Sequence, residues 1–246
     1  MSNNSFTDLL KEINTTKATI AAYSPSTKED IQLAPLTLQQ QKSIIESSVD
    51  STLASLFFNN TFFKILKQNL GGDISRFDTV DRVNFALQLR SQLSDSYEKN
   101  DTTISVNDIL AKNRTIAYTP TEKQIVMDNY TFTVRTPNLV IDDKVNVVLL
   151  NKYKNETLNG NKLKTLISDL FVHEILKFIP KLKVNDKEIL LHTDLQAAAN
   201  LLENIDSIKF VQITDYINTI RDIERSFATI PGTDTIIDII PEFFIV

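Results

Sequence analysis

No cysteine occurs in the 246 residues. That excludes disulfides, thiolate zinc sites, iron–sulfur clusters and a cysteine nucleophile. Glycine is nearly as scarce, with Gly71, Gly72, Gly160 and Gly232 the four present, where average usage would give about 17. Dinucleotide fingerprints and P-loops need clustered glycines so that backbone N–H groups can approach phosphate. The one pair, in "QNLGGDIS", lacks both a later glycine and a following Lys–Ser/Thr, and reads as a helix stop. Histidine is limited to His173 and His192. His173–Glu174 is half of a zinc-protease helix, but Lys177 stands where the second histidine would be. Cations do not cluster, and the net charge is -5, which speaks against nucleic acid. The opening "MSNNSFTDLLKEINTTK" has no apolar signal core, and no apolar stretch approaches the roughly 20 residues of a membrane span. The expectation is a soluble protein made in a cytoplasm, without cofactor or metal.

Hydrophobic residues make up 42% and charged residues 23%, enough for a packed core in one large domain or two small ones. Carboxylates are plentiful, and adjacent acids such as Asp142–Asp143 keep a paired-acid hydrolase in view, though nothing singles out one pair. His192 and Asp194 could form an acid–base pair, or Asp194 could cap the helix "LQAAANLLENI".

The periodicities predict an α+β, helix-rich fold of amphipathic helices with short antiparallel strands. Residues 20–33 read as a hairpin around Ser–Pro–Ser–Thr–Lys, with Ile20 and Tyr23 on one side and Ile31 and Leu33 on the other. "TLQQ" is a Thr-x-x-Gln capping box at Thr37 and Gln40, opening a helix that runs toward Asn69 with a break at "FNNT". Ile45, Val49, Leu53 and Leu56 fall on one face of it. Gln39 and Gln41 are helix formers on a wet or partner-facing side. "FDTVDRVNFALQLRSQL" is a second capped helix, and "SVNDILAKN" a short one capped by Ser105. "YTPTEK" marks a boundary, dividing residues 1–118 from 119–246, or else links parts of one continuous domain. Tyr130, Phe132 and Val134 alternate as a half-buried strand. Helices follow at about 142–154, 161–179, 194–205 and 207–228, with a strand in "KVNDKEILLHT". In the last helix Ile213, Tyr216 or Ile217, Ile220 and Phe227 keep helical spacing, and "RDIER" supplies a charged outer face.

Two segments are unusually apolar. Phe57, Phe58, Phe62 and Phe63 cannot all point one way on a helix, so they are core or a partner-docking pair. The end "TIIDIIPEFFIV" carries Phe243, Phe244, Ile245 and Val246, either as a strand of the chain's own sheet or donated to another chain. These eight residues are the candidate partner interface.

The hairpin leading into "PLTLQQQKSII", then "DRVNFALQLR", a mid-chain strand, "LFVHEILKFI", "VNDKEILL" and "YINTIRDIERSFATI" running into "IDIIPEFF", form a series from about residue 20 to 246. It resembles the baseplate hub proteins of T-even-type contractile-tailed bacteriophages, a family with a small hub subunit and a hub assembly factor of about this size. The resemblance rests on order and length. It implies a non-enzymatic tail assembly protein working through protein–protein contacts in the host cytoplasm, and in the virion baseplate if retained. Its partners would be other hub proteins, with tape-measure or tube proteins and self-association also in view. It carries over no individual functional residue. The alternatives are a tail-associated cell-wall hydrolase and an unrelated cytoplasmic adaptor.

Overall fold

A computed structural model describes residues 18–47, 52–99 and 102–245, with the backbone alone at 207–209. The chain begins with the hairpin β1 (Ile20–Ser24) and β2 (Glu29–Leu33), then α1 (Leu38–Glu46), α2 (Ala54–Asn69) and α3 (Thr79–Leu93). A second hairpin, β3 (Ser96–Lys99) and β4 (Thr102–Ser105), leads to α4 (Val106–Asn113). Next come β5 (Glu122–Met127), β6 (Tyr130–Arg135), α5 (Leu139–Tyr153) and α6 (Gly160–Leu176). The chain continues with β7 (Lys181–Val184), β8 (Lys187–Leu190), α7 (Leu195–Glu203) and α8 (Ser207–Ala228), and ends in a 3-10 turn, Pro241–Phe244. The fold is α+β and helix-rich. Among the described residues the strands are antiparallel, in two separate hairpins and one meander of order β5-β6-β7-β8.

Local chemistry explains most boundaries. The Thr37 hydroxyl accepts the Gln40 N–H at 3.1 Å, and the Gln40 side chain accepts the Thr37 N–H at 3.0 Å, closing the capping box of α1. α2 ends at Asn69 because Gly71 adopts φ +78, and the Gly72 N–H reaches back to the Lys67 carbonyl at 2.7 Å. That six-residue return bond is a Schellman stop. Ser105 caps α4 through the Asp108 N–H, and Asp194 caps α7 through the Ala197 N–H. The meander turns at Asp128–Asn129 and Asn185–Asp186, with Asp128 at φ +53 and Asn185 at φ +52. Asn and Asp tolerate that left-handed backbone, which matches the twist of a two-residue hairpin loop.

Several sequence expectations are corrected. The expected long helix is two helices, interrupted between Glu46 and Ala54, while "FNNT" lies unbroken inside α2. The inward residue of α1 is Ile44, fully buried, whereas Ile45 is exposed; Val49 lies outside the described residues. In β1 the inward residues are Ala22 and Ser24, while Tyr23 is half-buried beneath the Arg114 guanidinium. "KVNDKEILL" is a hairpin rather than one strand. The C-terminal segment is not a strand of a sheet: a single bridge joins Thr229 to Ile236, and Pro241 opens the 3-10 turn.

Two main clusters of buried residues form the interior. The first gathers β1, β2, α1, α3, α4 and the C-terminal Ile237, Phe243 and Phe244. The second lies between the meander and α5–α8. α2 serves both, giving Leu56 to the second and Phe58, Phe62, Phe63 and Leu66 to the first. α5 does the same with Leu139 on one side and Ile141 and Val145 on the other. The clusters thus meet across the expected 118/119 division, and residues 237–244 return to the first half.

Candidate functional site

The phenylalanines offered as a partner interface are almost all interior. Phe58, Phe62, Phe63, Phe243 and Phe244 are buried, and Phe57 is partly buried against the second cluster. Phe62 lies 5.6 Å from Phe244 between ring centroids, and Phe243 stands edge-on to Phe244 at 5.3 Å. The helix face and the chain end therefore complete each other's core, which corrects the partner-facing reading for those five side chains. Ile245 keeps half its surface in water, and Val246 lies outside the described residues.

Both histidines bond backbone carbonyls of α6. His173 Nδ1 lies 2.8 Å from the Asp169 carbonyl one turn back in α6. His192 Nε2 lies 2.8 Å from the Leu176 carbonyl at the end of α6, which also accepts the Ile179 N–H at 3.1 Å. Burial, with Arg135 and Lys144 adding, pushes the His192 pKa down, although its bond to Leu176 opposes the shift. With Asp194 capping α7, both members of the suspected acid–base pair have structural work.

The adjacent acids separate. Asp142 is buried and accepts from Arg82 at 2.7 Å and Lys177 at 2.7 Å, while Asp143 pairs with Lys67 at 2.5 Å. Burial alone would raise the Asp142 pKa, but the two cations hold it below the usual carboxylate range. Burial likewise opposes the charge on Lys177, and Asp142 with Glu174 overcomes it, raising its pKa. "RDIER" is not wholly an outer face: Arg221 lies over the Phe178 ring at 5.3 Å, and Glu224 accepts from the Thr79 hydroxyl. Among the described residues, no group of three or more His, Asp or Glu could hold a metal ion, and no helix is long and apolar enough to cross a membrane.

What remains on the surface is an apolar face that sequence reasoning missed. α6 buries Leu166, Asp169, His173 and Leu176. On its other side Ile167 is 59% and Phe171 64% exposed, and Val211 near the start of α8 is 55% exposed. Ile167 and Phe171 are four apart and so neighbours on the helix surface. Between α6, the end of α7 and α8 runs a groove of about 290 Å³, with Phe171 and Val211 on its rim and the buried Ile175 and Leu202 lining it. Among the described residues its polar lining is Glu203 and Thr214, and the Thr214 hydroxyl donates back to the Phe210 carbonyl at 3.0 Å. The signal in the sequence was the excess of apolar residues on α6: "LKTLISDLFVHEIL" is too apolar all round for a helix with one buried face. The chain matches no protein-family model, no curated protein and no solved structure.

Proposed function

We propose that this chain is a non-enzymatic component of a contractile phage tail, a baseplate hub subunit or hub assembly factor, acting by protein–protein contact. The order and length of its segments, which resemble that family, support the tail context. The observation that carries the binding role is the α6–α8 face: three large apolar side chains, Ile167, Phe171 and Val211, exposed beside an apolar groove. Apolar surface contiguous with a groove and rimmed by polar groups marks interaction sites. The occupant we assign is an amphipathic helix of a neighbouring hub protein, seating its apolar anchors between α6 and α8.

The test is capture of the tagged full chain from infected-cell lysate, with mass spectrometry of the bound proteins and of purified virions. Tail hub proteins should co-purify with the wild type, and Phe171→Glu should lose them by at least about ten-fold while melting within a few degrees of wild type, because the ring is mostly in water. Presence in virions at tail stoichiometry identifies a subunit; presence in lysate alone identifies an assembly factor. Failure to capture any tail protein, or equal capture by Phe171→Glu, overturns the reading.

A further inference from the structure

A second concavity, polar where the first is apolar, opens where the two halves of the chain meet. It measures about 300 Å³ and is lined by Ser75, Asp78, Thr121, Glu122, Arg135 and Asn138, with Pro120 and Thr136 completing it. That volume is at the lower end of the roughly 300–1,000 Å³ typical of small-molecule sites. Four segments build it: the loop before α3, the 118–122 link, the end of β6 and the cap of α5. The framework is held by backbone bonds. The Thr79 N–H donates to the Pro137 carbonyl at 3.1 Å, Leu139 to Phe77 at 2.8 Å, and Thr136 to Thr121 at 3.0 Å. The first N–H of α3 and the first N–H of α5 are thereby occupied.

Arg135 is the side chain placed to do it. It lies directly across the β5–β6 ladder from Glu122, yet among the described residues its guanidinium makes neither an ion pair nor a hydrogen bond. An arginine planted at the end of a strand, half-buried, in a cleft with hydroxyls and an amide, presents a two-pronged donor with no acceptor. We propose that this cleft binds a small oxyanion, a carboxylate or phosphate compound, held bidentately by Arg135 with a hydroxyl donor from Thr121.

The acids of the cleft set the conditions. Asp78 accepts the Tyr118 hydroxyl at 3.1 Å, and its own N–H donates to the Asp81 carboxylate at 2.7 Å. Burial, and then the neighbouring Asp81, push the Asp78 pKa up to about 6, against the Tyr118 bond and the Arg135 charge. The groups facing Asp78 are thus Asp81 on α3, Tyr118 and Glu122 on the link and β5, and Arg135 on β6. An anion on Arg135 would cancel the one cation that favours ionised Asp78. Binding and proton uptake at Asp78 are therefore coupled, and affinity rises as pH falls through about 6.

The experiment titrates the full chain with sodium sulfate, whose charge is constant over the range, and separately with sodium acetate, against sodium chloride at matched ionic strength. Amide chemical shifts of the cleft residues are followed at about pH 5.5 and about pH 7.5. Wild type should bind at least one of the two anions, several-fold more tightly at the lower pH. Sulfate alone points to phosphate compounds, acetate alone to carboxylates. Asp78→Asn should bind with similar affinity at both values. Arg135→Gln, folded by its amide spectrum, should lose binding by at least ten-fold; Arg135→Lys, which keeps the charge without the fork, serves the same purpose if the glutamine variant does not fold. No shift in wild type with either anion, or binding retained by the Arg135 variants, overturns the assignment.

Discussion

Asp78 puts two demands on one side chain. As the residue before α3 it shares a capping box with Asp81, and it also lies half-buried beside that second carboxylate. Unfolded, it titrates near the ordinary carboxylate value; folded, it holds its proton up to about 6. The folded state binds more protons across that window, so Asp78's contribution to stability falls as pH rises from about 4 to about 6 and stays low above it. Asparagine caps a helix as well as aspartate does, and its carbonyl can still accept from Tyr118. Asp78→Asn is therefore expected to raise the urea midpoint at pH 7, with the gain shrinking toward zero near pH 4. His192 works with the opposite sign. Its folded pKa is depressed, so its contribution is present above about 6.5 and is lost as pH falls from there through the folded value. The raw pH profile mixes the two. The difference between wild type and Asp78→Asn isolates the aspartate, and a difference that does not vary with pH would show that Asp78 ionises normally.

At the scale of elements, the run of glutamines at 39–41 shows what a sequence states and what it leaves out. The capping box was legible because its partners are three residues apart and local geometry alone decides it. The longer contacts were not. Gln40 also donates to the Asn69 side chain at 2.8 Å, and Gln41 donates to the Phe244 carbonyl at 2.9 Å, 203 positions away. The α1 glutamines thus tie the end of α2 and the chain's last turn to one helix. Most helices were legible because apolar spacing and caps agree, but the break between α1 and α2 was not. The strands β3, β4 and β5 were missed because they are four to six residues long and half-exposed, with little alternation to read. The C-terminal turn supplies the element-scale prediction. Phe244→Ala opens a cavity against Phe58 and Phe62 and should cost about 3–5 kcal/mol, while Ile245→Ala, already half in water, should cost about 1 kcal/mol or less. Urea unfolding of the two variants checks it, and similar small effects from both would mean that the last turn is not part of the core.

Across the whole molecule, the link near residue 118 is a weaker divider than its composition suggests, because buried groups cross it in both directions. Arg82 on α3 and Lys177 just beyond α6 converge on Asp142 of α5, and none of the three was recognisable as a partner of the others in sequence, since ion pairs have no period. Phe243 and Phe244 cross in the other sense, into the first core. A buried ion pair is weak evidence for net stability, since desolvation offsets much of the attraction, but removing one partner leaves the other charge stranded. Asp142→Ala should therefore cost about 3–5 kcal/mol, because Lys177 is buried and would retain only Glu174. The loss should also be shared. If α2, α5 and the chain end bind the two cores into one cooperative unit, both wild type and Asp142→Ala unfold in a single calorimetric transition, with equal calorimetric and van't Hoff enthalpies. Two resolved transitions in wild type would mean that residues 1–118 and 119–246 are independent domains despite the buried groups between them. Two transitions in Asp142→Ala alone would assign the cooperativity to the Arg82–Asp142–Lys177 cluster rather than to the apolar residues of α2 and α5.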